Sequence, residues 1–376
     1  MSGEPPVTAT PNKESAEETF LRDLIQRSRK NDGARKHHVV PNSYLRRWSK
    51  PSGRVQVCDV ATGKSYATSP ATAARVTDFY LLESPDLDPD EIPPAFVENL
   101  LALIEGRAVP ALDSLLDLGP DGISGQERAD IATFLGFQSA RGQQTRNMIQ
   151  QVAADMSKYL HPAGTATESG IRSLLETTNL PLTDELLAEV LDFQRGLQDG
   201  SIIMQPQQAA LVGMPISMAI EISERLFTRH WTLFRTRPVL STCDEPVIPI
   251  GGPGHPRDRR AGFGTAPVVI FPVAPDALLV MFLGKPAPLQ LADLGHVELA
   301  EINREIAAAA SRWVIDREGR KTALAFDIPP WPDAITSLEE GQVDDTGRAK
   351  LLHGTWMSRW AASDIPPEWP VLRWFR

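Results

Sequence analysis

The hydrophobic period of this chain switches from helical to strand-like near His230, and that switch constrains the fold more than any other feature of its 376 residues. Upstream, apolar residues recur at three- and four-residue spacing. Phe96, Leu100, Leu103 and Ile104 make one stripe, and Ile131, Phe134, Leu135 and Met148 make a second along a longer helix. Residues 167 to 225 read as further helices punctuated by Pro181, Gly200, Pro206 and Pro215. Downstream, Trp231 to Arg235, Val239 to Thr242, Val268 to Phe271 and Leu278 to Phe282 are short apolar runs bounded by Pro or Gly, which predicts strands. A helix over Val297 to Ala310 follows.

A second strand signal precedes the helical block. Arg54 to Val60 alternates apolar and polar residues, Ala61-Thr62-Gly63-Lys64 is turn chemistry, and Ser65 to Thr68 returns as the partner. Before it, a helix over Ser15 to Arg29 would carry Phe20, Leu21, Leu24 and Ile25 on one face, stopped by Asn31-Asp32-Gly33. This order predicts an α+β fold: an N-terminal hairpin segment, a helical middle, and a C-terminal mostly antiparallel sheet with a packed helix. Residues 1–30 are expected as a disordered lead and short helix, 31–320 as the main globular domain, and 321–376 as a linker and tryptophan-rich tail. Ile328 to Arg348 reads as linker or exposed loop. Trp356 and Trp360 stand at helical spacing and predict a tail docked on the body, with stacking on bases, helped by Arg359 and Arg373, as the alternative.

Composition excludes several classes. A chain that is 42% apolar and 23% charged can build a core. A net charge of −10 does not indicate nucleic acid, which stays a candidate partner only through a local basic patch. Two cysteines, Cys58 and Cys243, are too few for a disulfide framework or a cysteine zinc site. The polar, acidic start lacks a secretory signal, and no run of about eighteen apolar residues appears, so a cytoplasmic protein without a membrane partner is expected. No nucleophile elbow and no dinucleotide fingerprint is present.

Several short motifs stand in a fixed order: His37-His38-Val39-Val40-Pro41-Asn42-Ser43-Tyr44-Leu45, Asp78-Phe79-Tyr80, Glu98 and Glu105 seven apart, Phe134-Leu135-Gly136-Phe137-Gln138 with Arg141, Ser241-Thr242-Cys243-Asp244-Glu245-Pro246, and Asn303 ahead of Arg312-Trp313. Together they resemble the bacterial family catalogued as domain of unknown function 4238. The resemblance spans most of residues 37 to 315 and implies fold and domain extent, with no substrate attached. Glu245 stands where the family pattern often has a small amide, a departure that keeps Asp244 and Pro246 and gives position 245 no role.

The His37-His38 pair before Val-Val-Pro also resembles the histidine strand of HNH-type nucleases. That likeness implies a metal ligand at His37 and a base at His38, acting on a phosphodiester. Such a fold also asks for a further Asn and a His or Asn ligand on a helix shortly after the hairpin, and no histidine lies between His38 and His161. The other reading is that both histidines bond backbone carbonyls or a carboxylate and orient the chain before Pro41. Glu98 and Glu105 lie two helical turns apart on one face, positioned for a metal or for an arginine. Gln138 and Arg141 share a face, with Thr145 and Arg146 on the next turn, and could hold a phosphate or tie down Glu98 or Glu105. Asp244 sits at a strand end, where it could orient a histidine or simply form a turn. Gly251-Gly252-Pro253-Gly254-His255-Pro256, followed by Arg257, Arg259 and Arg260, reads as a flexible surface loop, with an anion-binding loop as the alternative.

Two functions follow. One is phosphoester hydrolysis, perhaps of nucleic acid, with a divalent metal as candidate cofactor, His37, His38 and Asp244 catalytic, and Gln138 and Arg141 on the substrate. The other is a non-catalytic binding or regulatory protein in which these residues, with Glu98, Glu105, Tyr44 and Asn303, form a buried polar network. An open site would favour the first; a closed, saturated network would favour the second.

Overall fold

The computed structural model describes residues 16–30, 36–49, 51–82, 87–160, 167–177, 183–333, 336–339 and 353–376. The expected disordered lead lies outside these residues, as does much of the expected linker. The fold is α+β. In chain order its elements are helix α1 (Ala16–Arg29), strand β1 (Lys36–His38), the short helix α2 (Asn42–Leu45), strands β2 (Val55–Asp59), β3 (Ser65–Thr68) and β4 (Arg75–Thr77), and helices α3 (Phe96–Leu118), α4 (Gly125–Ala140), α5 (Gln143–Leu160), α6 (Glu168–Thr177), α7 (Asp184–Asp199) and α8 (Gln208–Phe227). Then come β5 (His230–Arg235), β6 (Thr242–Cys243), β7 (Ile248–Ile250), β8 (Val268–Ala274), β9 (Ala277–Phe282), α9 (His296–Ala309), β10 (Trp313–Arg317), β11 (Thr336–Glu339) and β12 (His353–Trp356).

Two four-stranded antiparallel sheets organise the molecule, one ordered β5-β9-β8-β7 and the other β3-β2-β10-β6. Every residue of β8 and β9 is buried. These strands read as continuous apolar runs because both faces of their sheet are covered. Their side chains alternate between two cores: Val269, Phe271, Leu279 and Met281 pack toward the helical middle, while Val268, Ile270, Leu278 and Val280 pack toward α9 and the C-terminal segment. In the second sheet the N-terminal hairpin is continuous with C-terminal structure, since β2 pairs with β10 and β10 with β6. Cys58 and Cys243 flank Val314 in that ladder as free, buried thiols. The segment expected to pair from Val239 enters the sheet only at Thr242.

Helices α4 and α8 meet at Gly136, where a Cβ would stand 2.4 Å from the Ala219 carbonyl oxygen and 2.1 Å from Ser223 Oγ. Only glycine allows that approach. Two expectations about the helices are corrected. The stripe from Ile131 to Met148 belongs to two helices, because the chain breaks at Arg141-Gly142, and Pro215 lies inside α8 instead of ending a helix. On α1, Leu24 is buried while Phe20 and Leu21 are exposed, so the apolar face is narrower than its sequence suggests.

The C-terminal segment is part of the body. Trp369, Val371 and Trp374 belong to the second core, and Trp374 packs against Phe234 and Phe282. The helical spacing of Trp356 and Trp360 was misleading: Trp356 ends β12, and Trp360 sits in a short 3-10 turn. Both rings dock through their own arginine partners, so a shared helix face is not needed.

Candidate functional site

The motif residues of the N-terminal half converge around His37. Strand β1 pairs with β4, and Asp78 follows β4 with a φ of +53°, a left-handed conformation that aspartate tolerates better than most residues. That turn sends Phe79 and Tyr80 back over β1. The Tyr80 N–H donates to His37 Nδ1 at 3.0 Å, so the proton of a neutral His37 lies on Nε2, which faces Glu98 Oε2 at 3.5 Å. Burial lowers the His37 pKa, with Glu98 and Asp78 pulling the other way. The His38 ring Nε2 lies 3.0 Å from the Ala71 carbonyl, and burial lowers that pKa as well. Both histidines are thus held as neutral, hydrogen-bonded rings at neutral pH.

One turn-pair further along α3, Glu105 accepts from Arg141 Nη1 at 2.9 Å. Arg141 also donates through Nε and Nη2 to Gln138 Oε1, and Gln138 Nε2 donates to the Val39 carbonyl at 3.1 Å. The guanidinium is buried, and its proximity to Tyr80 and Glu105 raises its pKa against the opposing pull of desolvation. Arg146 lies over the Phe79 ring at 3.9 Å and donates to the Phe79 carbonyl. His37, His38, Glu98, Glu105, Gln138 and Arg141 are therefore brought together, as arginine-to-carboxylate and histidine-to-backbone partners. The cavity beside them, lined by Tyr80, Arg141, Arg146 and apolar residues of α3, α4 and α8, has a volume of about 20 Å³. That holds about one water. In this network Tyr80 Oη and Glu98 Oε2 are buried without a hydrogen-bond partner.

The C-terminal motif residues stand apart from this network. Asp244 Oδ1 accepts the Ser311 N–H at 2.8 Å, and Oδ2 accepts those of Arg312 and Trp313 at 2.7 and 3.1 Å. It closes the turn from α9 into β10 and bonds neither histidine, which corrects its expected role as their orienter. Burial pushes its pKa up to about 6 against the pull of those three N–H groups. Asn303 latches α9 to the chain before β6: Oδ1 accepts from Ser241 N–H and Oγ, and Nδ2 donates to the Val239 carbonyl. Tyr44 bridges the Pro272 carbonyl, at 2.6 Å, and Thr242 Oγ1, at 2.7 Å. These are joints between elements.

The model of a family described as protein of unknown function (DUF4238) matches residues 36–320. The chain belongs to the DUF4238 family. No curated protein and no solved structure matches it. The DUF4238 match takes in the whole His37 network and all four strands of each large sheet, and stops before Trp331, Arg359 and the tryptophans that close the second core.

Position 245, which the sequence left without a role, holds a buried glutamate. Its Oε1 accepts the Gln144 N–H at 2.9 Å in the first turn of α5, and Oε2 faces Arg260 Nη2 at 3.6 Å. Gly142 lets this carboxylate approach the break between α4 and α5, because a Cβ there would stand 2.7 Å from it. Burial pushes the Glu245 pKa up to about 7, with Arg260 lowering it and Asp244 raising it. The one local sign of this arrangement was the glycine after Arg141. The segment read as a surface loop, Gly251 to Pro256 followed by Arg257, Arg259 and Arg260, is exposed at Pro253, Gly254, Pro256 and Arg259, but the Arg257 and Arg260 side chains are 9% and 15% exposed, because tryptophans of the C-terminal segment cover them. Among the described residues no three His, Cys, Asp or Glu side chains gather closely enough to hold a metal ion, and no helix is long and apolar enough to cross a membrane.

Proposed function

We propose that this chain is a non-catalytic binding or regulatory protein whose motif residues form a polar framework that holds the fold. The observation that supports it is the closure of the His37 network: its histidines and arginine are bonded to partners, and its cavity admits about one water. A hydrolytic site needs a face on which substrate can meet the base. Phosphoester hydrolysis by His38, with His37 and Asp244, also asks for a convergence that the three backbone bonds of Asp244 oppose.

The test is an assay of the full chain on a phosphodiester and on a phosphomonoester, with Mg²⁺ or Mn²⁺ added, run beside a folded His38→Ala variant. No turnover above the variant's is expected. Hydrolysis that disappears in folded His38→Ala would overturn the reading.

A further inference from the structure

Where the C-terminal segment meets the loop after β7, a second cavity of about 50 Å³ is walled by Arg257, Arg260, Arg359, Trp331, Trp360 and Trp369, with Glu305 on one side. It has more than twice the volume of the cavity beside His37. That is room for several waters or one tetrahedral oxyanion.

Its lining holds four arginines and one carboxylate. Glu305 binds Arg257 through both carboxylate oxygens, at 2.6 and 3.2 Å, and Glu245 faces Arg260. Arg359, only 3% exposed, has no carboxylate bonded to it: its donors go to the carbonyls of Pro329, Ala310 and Ser311. Burial pushes its pKa down to about 10, with Asp244 and Glu245 pulling the other way, which still leaves a cation at neutral pH. Arg259 lines the cavity as a fourth, exposed cation.

Three guanidinium donors here are also buried without a partner: Nε of Arg257, Nε of Arg359 and Nη1 of Arg260. The planes that carry them are fixed by rings, Arg257 at 3.9 Å over Trp369, Arg359 at 4.8 Å over Trp331, and Arg260 at 4.0 Å over Trp356. Stacking alone would clamp the C-terminal segment to the body. It does not account for four arginines lining one cavity whose lining holds a single carboxylate, Glu305. Arg229 makes the contrast, being buried among carbonyls with an open Nε yet lining none of these cavities.

We propose that this chamber binds a tetrahedral phosphoryl or sulfuryl oxyanion, free or as the terminal group of a small molecule. The proposal rests on the reading of the chain as a binding protein and names the ligand class that reading leaves open. Planar guanidiniums match the oxygen geometry of such an anion, and low local dielectric strengthens each charge-assisted bond. Its walls come partly from the DUF4238 region and partly from residues beyond it.

The experiment is calorimetric titration of the full chain with inorganic phosphate, sulfate and phenyl phosphate at millimolar concentration, with tryptophan fluorescence as a second signal. Binding is expected, weakened about tenfold or more in Arg359→Lys, which keeps the charge but loses the fork. Arg259→Glu, on the exposed rim, should weaken it while leaving the melting temperature unchanged. Preference for phenyl phosphate would point to an organic monoester, and equal response to all three would point to a free ion; both support the site. Silence of the folded wild type toward all three anions would overturn it, as would unchanged affinity in folded Arg259→Glu and Arg359→Lys. Release of inorganic phosphate from bound phenyl phosphate would support the site while overturning the non-catalytic reading.

Discussion

The His37 network and the Arg359 chamber are both buried, both rich in charge, and built to opposite accounts. In the first, Arg141 meets Glu105 and Gln138, His37 meets Glu98 and the Tyr80 amide, and the remaining space fits about one water. In the second, four arginines line the wall with one carboxylate, and three donors are left open. A network that leaves no room for a ligand stabilises one arrangement of the chain, even with Tyr80 Oη and Glu98 Oε2 lacking hydrogen-bond partners. An arginine-lined cavity with room for an anion keeps free energy available for a ligand that fills it. Burial of a conspicuous polar motif is therefore a poor sign of chemistry, and space beside the charged groups is the better one.

The comparison breaks first at Arg141. Arg141→Ala leaves buried Gln138 and part-buried Glu105 without their donor, and urea denaturation should show a loss of about 2–4 kcal/mol. Arg359→Ala removes bonds only to carbonyls and is expected to cost less, about 1–3 kcal/mol. Equal losses would mean that the chamber, too, is a structural network. Asp244→Ala should remove roughly 2–4 kcal/mol by the same measurement, because three buried N–H groups at the entry to β10 lose their acceptor. A folded Asp244→Ala of unchanged stability would take that carboxylate out of the framework.

Glu245 sharpens the comparison through pH. Its pKa is raised from the ordinary 4.5 to about 7 on folding, so over that window the native state holds a proton that the unfolded chain has given up. Stability from this group is full below pH 4.5 and declines as pH rises toward 7, by on the order of 1–3 kcal/mol. Melting curves of Glu245→Gln across that range should lack the decline. The smallest effect is expected at His38→Ala, where one exposed bond to the Ala71 carbonyl is lost, at about 1 kcal/mol or less. A larger loss would move His38 deeper into the framework than its single bond implies.

Much of the secondary structure was legible in the residues themselves. The strands at Trp231, Val268 and Leu278, the hairpin after Arg54 and the helix after Val297 appear where their periods place them, because a period depends on neighbours a few residues away. The grouping of His37, His38, Glu98, Glu105, Gln138 and Arg141 was also foreseeable, since same-face spacing along α3 and α4 limits what those side chains can reach. The partner each polar atom takes was not. Asp244 and Ser311 are 67 residues apart, Glu245 and Gln144 are 101 apart, and Arg359 meets Ala310 across 49, so no local pattern records those bonds. Tertiary packing alone decided that the hairpin joins β10, that Asp244 serves a turn, and that a tryptophan-rich end covers Arg257 and Arg260. A hydrogen bond or ion pair depends on where the second atom arrives, and that position is fixed only when the sheets and helices close on one another.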